Sequence, residues 1–173
     1  MEGEPKALLR IEPATSEDVP LILDFIRELA GYERMLDQVV ATEERLREQL
    51  FGPHPGAEVV IARSEGEPAG FALFFHSFST FLGRRGLYLE DLFVRPAFRG
   101  RGVGRALLEF LARVAVDRGC GRLEWSVLDW NAAAIGFYRG LGATAMSDWT
   151  VYRLTGEPLR TLALSATADG RRG

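Results

Sequence analysis

Two hydrophobic periods alternate along this chain. "LLRIEPAT" reads as a first strand, with Thr15 or Ser16 as the N-cap of a helix whose first turn holds Glu17 and Asp18. Leu21, Ile22, Phe25, Ile26 and Leu29 then recur at helical spacing up to Gly31. A second helix starts at the Thr42 cap with Glu43 and Glu44, carries Leu46 and Leu50, and stops at "GPHPG". "AEVVIAR" and "PAGFALFFHSF" flank "SEGE" and predict a β-hairpin. "FSTFLGRRG" reads as a loop feeding a strand from Leu87 to Val94, which Pro96 closes. The clearest helix comes next, with Val103, Ala106, Leu107, Phe110, Leu111, Val114 and Ala115 on one face and Gly119 past its end. "RLEWSVL" predicts a strand, "DWNAAAIGFYRGLGA" a short helix capped by Asn131, and "DWTVYRL" a last strand. The order β-α-α-β-β-β-α-β-α-β has no repeat and no linker. It predicts an α/β fold, a mixed central sheet with helices on both faces.

Length and charge narrow this only a little. The 173 residues fit one domain over 1–173, with a core at about 8–160 and a tail from about Ser165 expected to be disordered. A net charge of -3 gives no reason to expect a nucleic-acid partner, and no apolar run is long enough for a membrane span. One cysteine, Cys120, cannot form an internal disulfide, which fits a cytoplasmic location. With His54 and His76 it makes a poor ligand kit, so no metal is expected.

The chemistry concentrates in "YLEDLFVRPAFRGRGVGRALLEF", where two carboxylates on a strand precede a glycine-rich loop and a helix. A helix N-terminus offers unpaired N–H groups to an anion, and glycines let the backbone approach it closely. A Walker A loop needs Gly-Lys-Ser/Thr where this chain has Gly104-Arg105-Ala106. A dinucleotide loop needs glycine at Arg105 and a βαβ unit at the start of the chain. Both fail. The arrangement Arg99, Gly102, Gly104 resembles instead the acetyl-CoA loop of the GNAT acetyltransferases. RNA binding by "RGRG" is the poorer alternative, because disordered Arg-Gly segments do not precede three turns of amphipathic helix.

The resemblance runs over about residues 9–155 and is closest to the spermidine/spermine and thialysine acetyltransferase branch. "RELAGYE", "LYLEDLFV", "RGRGVG", Asp129-Trp130-Asn131 and "FYRGLGA" carry it. It implies the GNAT-type acyl-CoA N-acyltransferase fold, acetyl-CoA as cosubstrate and a homodimer. It also implies CoA contacts from Leu92, Phe93 and Val94, from Gly100, Arg101, Gly102, Val103, Gly104 and Arg105 after Arg99, and from Asn131, Ala132, Ala133 and Ala134. Amine contacts are implied at Tyr32, Glu33, Glu90 and the strand Glu124, Trp125, Ser126. The polyamine enzymes carry an acidic residue and a tryptophan in the loop before the Leu-Glu-Asp strand, where "SFSTF" has Ser79 and Phe81, and Thr150 and Tyr152 stand in place of a later acidic-aromatic pair. The implied substrate is therefore a small amine (diamine, thialysine-like or lysine-like), with a protein lysine or N-terminal amine as the alternative and a non-catalytic acyl-CoA-binding regulator as the second.

Acetyl transfer to an amine needs a base, donors for the oxyanion and an acid for the leaving thiolate. A free primary amine has a pKa of ~10.4, so only about one molecule in a thousand is nucleophilic at pH 7. Glu90 is the expected base; its bland alternatives are a solvated edge position or an ion pair with an arginine. Asp91 is assigned to substrate charge or to structure: it points to the opposite face of a regular strand, so both carboxylates face a substrate only across a bulge. Phe93 is expected to supply the oxyanion N–H. Tyr138, two turns past the Asn131 cap, is the expected acid, with a core aromatic beside Phe137 and Leu141 as the alternative. Cys120 has no adjacent histidine, so transfer is expected to be direct, in a ternary complex.

Overall fold

The computed structural model describes residues 8–169, with the chain divided into two compact units, Met1–Ser126 and Val127–Gly173. The first unit runs β1 (Leu9–Pro13), α1 (Val19–Tyr32), α2 (Glu43–Phe51), β2 (Glu58–Ser64), β3 (Glu67–Ser79), β4 (Arg84–Val94), α3 (Val103–Asp117) and β5 (Leu123–Trp125). Its strands form one sheet in the order β1-β2-β3-β4-β5. Every pairing is antiparallel except β4 with β5, which is parallel. The mixed sheet agrees with the sequence pattern.

Strand alternation sends side chains to two covered faces. Val59, Ile61, Phe71 and Phe93 pack with Ile22, Phe25 and Leu50 of α1 and α2. The intervening Val60, Ala62 and Ala72 are also buried, and α3 meets β3 and β4 through an apolar stripe that includes Leu107 and Leu111. Phe25 stacks on Phe71 with ring centroids 5.1 Å apart. Arg95, one residue past β4, ties α1 to this sheet. It donates to both carboxylate oxygens of Glu28, the closest at 2.7 Å, and its guanidinium lies 4.6 Å from the Phe25 ring.

The hairpin turn is Glu65-Gly66, both at positive φ (54° and 87°), the geometry two-residue hairpins prefer. The expected loop "FSTFLGRRG" is mostly strand. Ser79 pairs with Arg84 and Ser77 with Gly86, so only the four residues 80–83 turn. Arginines and glycine masked the alternation there.

The second unit holds α4 (Ala132–Gly140) and α5 (Gly156–Asp169). Asn131 caps α4, its Oδ1 accepting from the Ala134 N–H at 3.2 Å. The strand expected at "DWTVYRL" does not form; these residues are turn and irregular chain, with Val151 and Tyr152 exposed. Strand propensity is realised only against a partner, and the described residues provide none there. The tail expected to be disordered from about Ser165 is helical to Asp169, and residues 170–173 lie outside the described residues. Among the described residues, no helix is long and apolar enough to cross a membrane.

Candidate active site

The register of β4 on β3 slips by one residue at the two carboxylates. Leu73 pairs with Asp91 and Phe74 with Leu89, leaving Glu90 as an extra residue. This is the bulge that the sequence made a condition for both carboxylates to share a face. Above it Asp91 and Phe93 lie on the α1 face; below it Leu87 and Leu89 turn into the other layer and Tyr88 faces the α1 side, its ring 5.2 Å from Phe75. Glu33, the C-cap residue of α1, completes an acidic group with Glu90 and Asp91.

The electrostatics separate the members of this group. Burial, then the charges of Glu90 and Glu33, push the Asp91 carboxyl up to about 6. Burial also raises Glu33. Glu90 is exposed. A carboxylate that releases its proton near pH 6 accepts one more readily than an ordinary aspartate. Of the two adjacent carboxylates, Asp91 is the one raised, with the charge of Glu90 contributing after burial.

The bulge also ends the pairing of β4 with β5. The parallel register stops at Leu89↔Trp125, so Glu90 to Val94 face no strand on that side among the described residues. Backbone groups point to alternate edges along a strand. The Arg95 N–H donates to Ala69 on β3, which directs the Phe93 N–H to β3 as well. Leu92 and Val94 present theirs to the open edge. The N–H of Phe93, the expected oxyanion donor, is thereby directed into the sheet, and its buried ring packs in the core.

The glycine loop lies at the end of this open edge. Gly100 and Gly102 take positive φ (74° and 81°), and a Cβ at either would meet nothing within 4 Å. Conformation and open space both suit a ligand held by backbone. Gly102 is the N-cap of α3, and no side chain caps it. A Cβ on Gly104 would lie 3.7 Å from Val94 Cγ2, so the helix start sits close against β4. These residues fit a pyrophosphate, and the open edge fits a narrow amide-bearing chain such as pantetheine. Of the loop arginines, Arg105 is 3.6 Å from Glu109 and Arg101 lies over Phe98. Arg99 folds back instead. Its Nε donates to the Val94 carbonyl at 2.9 Å, and its guanidinium lies 4.8 Å from the Tyr32 ring. The loop and the acceptor-side end of α1 thus share one side chain.

Ser126 accepts or donates a 2.8 Å hydrogen bond with the Tyr88 hydroxyl, and Glu124 pairs with Arg122 at 2.7 Å. Trp125 ends β5 as the partner of Leu89. Tyr88 and Arg122 were missed in the sequence, because a tyrosine and an arginine in strands carry no motif. Asn131, Ala132, Ala133, Ala134 and Tyr138 belong to the second unit, where Tyr138 lies in the last turn of α4. Cys120 lies beyond the C-terminal end of α3, whose 15 residues separate it from the loop.

The chain is similar to known proteins over nearly its whole length. The model of the acetyltransferase (GNAT) family matches residues 23–143. A thialysine N-epsilon-acetyltransferase of Bos taurus is 40% identical over 168 residues, covering 91% of this chain and 98% of the relative. An L-ornithine N5-acetyltransferase of Arabidopsis thaliana is 33% identical, covering 88% of this chain and 87% of the relative. Among solved structures, an integron cassette protein from the mobile metagenome of V. cholerae superposes with a TM-score of 0.76 at 29% identity, covering 90% of this chain and 97% of that one. With the bulged strand, the open edge and the glycine loop in place, the chain belongs to the GNAT acetyltransferase family.

Proposed function

We propose that the chain moves an acetyl group from acetyl-CoA to the primary amine of a small molecule, directly and in a ternary complex. The carrying observation is the acidic group of Glu33, Glu90 and Asp91, set beside the open edge of β4 with one carboxyl pushed up to about 6. The negative charges attract an ammonium, and Asp91 takes its proton. The Leu92 N–H on the open edge donates to the carbonyl oxygen as charge builds there. The loop from Gly100 to Arg105 and the first turn of α3 hold the diphosphate. Asn131 to Ala134 and Tyr138 keep the roles that the family resemblance implies. Ser79 is buried, and its Oγ accepts from the Leu82 N–H at 3.2 Å, so it serves the turn and offers no anchor for a long polyamine. We further assign the chain to the cytoplasm as a homodimeric, single catalytic domain. The lone Cys120 and the exposed Phe78, Phe81 and Leu82 at the β3–β4 tip support this.

Thiol release from acetyl-CoA, followed over diamines, thialysine, lysine and short peptides, tests the acceptor. Turnover with the small amines is expected. Turnover confined to peptides would favour a protein acetyltransferase, and binding without turnover a regulator. Tyr138→Phe tests the acid. The ring and its packing remain while the proton is lost, so the rate should fall about 10²–10⁴-fold with little change in melting temperature. Near-normal turnover would leave water as the proton source.

A further inference from the structure

Arg99 makes two contacts at once, and each fills a place that a ligand would take. Opposed residues of an antiparallel pair alternate between facing each other's polar groups and turning them away. The Arg95 N–H bonds Ala69 on β3, so the Val94 carbonyl, opposite Gly70, points to the open edge of β4. Arg99 Nε donates to that oxygen at 2.9 Å. The N–H of a chain laid strand-like along β4 would stand at this same distance. The guanidinium therefore fills the donor position of that lane. Its carbon also lies 4.8 Å from the Tyr32 ring and 5.7 Å from the Phe93 ring. An aromatic face attracts a cation, and Tyr32 ends α1 next to Glu33 of the acidic group. One side chain holds the place of an amide donor and of a cation. Little binds it there. Arg99 is exposed, and among the described residues it forms no ion pair, unlike Arg95 with Glu28.

We propose that Arg99 is a positioning residue that couples the cosubstrate edge to the amine side of the site. Arg99 yields the Val94 carbonyl to an amide N–H of the chain that lies along β4. The hydrogen bond and the ring contact belong to one guanidinium, so giving up the first removes the second. The Tyr32 face then opens to an ammonium, beside Glu33 and the two strand carboxylates. Each ligand needs Arg99 displaced, and whichever binds first meets that cost for both. The coupling is positive and reciprocal: each ligand tightens the other by the same factor. One hydrogen bond to an exposed edge and one exposed cation–π contact set that factor at about fivefold to tenfold. The diphosphate loop has no part in the exchange, since the Arg99 side chain folds back to Val94.

This coupling rests on the proposed acetyl transfer to small amines. Its test is calorimetric and needs no turnover. Thialysine is titrated into the protein alone, with saturating CoA, and with the nucleotide half of CoA, which carries the diphosphate without the pantetheine chain. CoA should tighten amine binding about fivefold to tenfold, and the nucleotide should leave it unchanged, because only the chain reaches Val94. Arg99→Met keeps the stem without donor or charge, and should bring the ratio to about one. Thialysine and CoA should each bind this variant alone more tightly than they bind the unaltered protein alone, since a competitor has gone. Arg99→Lys, which retains a cation, should keep part of the ratio. If Arg99→Met lowers the melting temperature, Tyr32→Leu reads the same ratio from the ring's side and should shrink it. Equal amine affinity with and without CoA, a nucleotide effect as large as that of CoA, or weaker binding of both ligands to Arg99→Met would overturn the coupling. An amine that binds in none of these states would overturn the acceptor chemistry itself, a result distinct from an unchanged ratio.

Discussion

Asp91→Asn should lower kcat/KM for the amine about 10²–10⁴-fold and, at the same time, raise the melting temperature near pH 8. The two effects have one cause. Asp91 sits where burial and two neighbouring carboxylates oppose its charge, which moves its carboxyl from 3.8 to about 6. Between those values the folded protein holds a proton that the unfolded chain releases. The associated stability is full below pH ~4 and is lost as pH rises through about 6, by an amount on the order of 1–3 kcal/mol. Asparagine never ionises, so it escapes that loss. In the unaltered enzyme, activity should rise with pH through about 6 as the base becomes free, and this limb should vanish in the variant. Matched pH–rate profiles and thermal melts at pH 5 and 8 check both. An unaltered profile in Asp91→Asn would return the base to Glu90.

Gly102→Asp should weaken CoA binding by about 100-fold or more while the domain stays folded. Gly102 lies at φ 81° with open space where a Cβ would project, so a new side chain meets the ligand and not the protein. Asp and Asn tolerate this left-handed backbone better than other side chains, and a carboxylate at the start of α3 complements the helix dipole. The loss therefore comes from charge and bulk at the diphosphate. Gly102→Asn separates them, since it adds nearly the same volume without charge and should cost less. Calorimetric titration with CoA gives both affinities. Equal affinity for all three proteins would mean that the diphosphate lies elsewhere.

The long helix, the hairpin and the glycine loop were legible because each rests on local rules: an unbroken apolar stripe, a glycine turn, a strand closed by proline. The acidic group was legible only in part. Glu90 and Asp91 stand out as charges in an apolar strand, but the raised carboxyl of Asp91 comes first from burial, then from Glu90 and from Glu33, more than fifty residues away in sequence. The direction of the Phe93 N–H was not legible, because the edge to which a backbone N–H points is fixed by pairing with β3 and not by residue type. Arg99 looked like a phosphate ligand from its motif, yet its side chain runs back to Val94 and Tyr32, a contact no spacing encodes. "DWTVYRL" carries strand residues without a strand to pair with, and "SATAD" hides helix formers behind the small, polar look of a tail.

The extra residue at Glu90 has one more consequence, concerning parity. Leu89 faces one layer and Asp91 the other, which is the relation two adjacent residues hold in an unbroken strand. Excising Glu90 would therefore move no core side chain to the wrong layer; every rung on either side would keep its partner, and β3 and β4 would close into a regular ladder. The fold is complete without that residue. What the insertion supplies is a place where two carboxylates crowd and an edge opens, at a position the core has no use for.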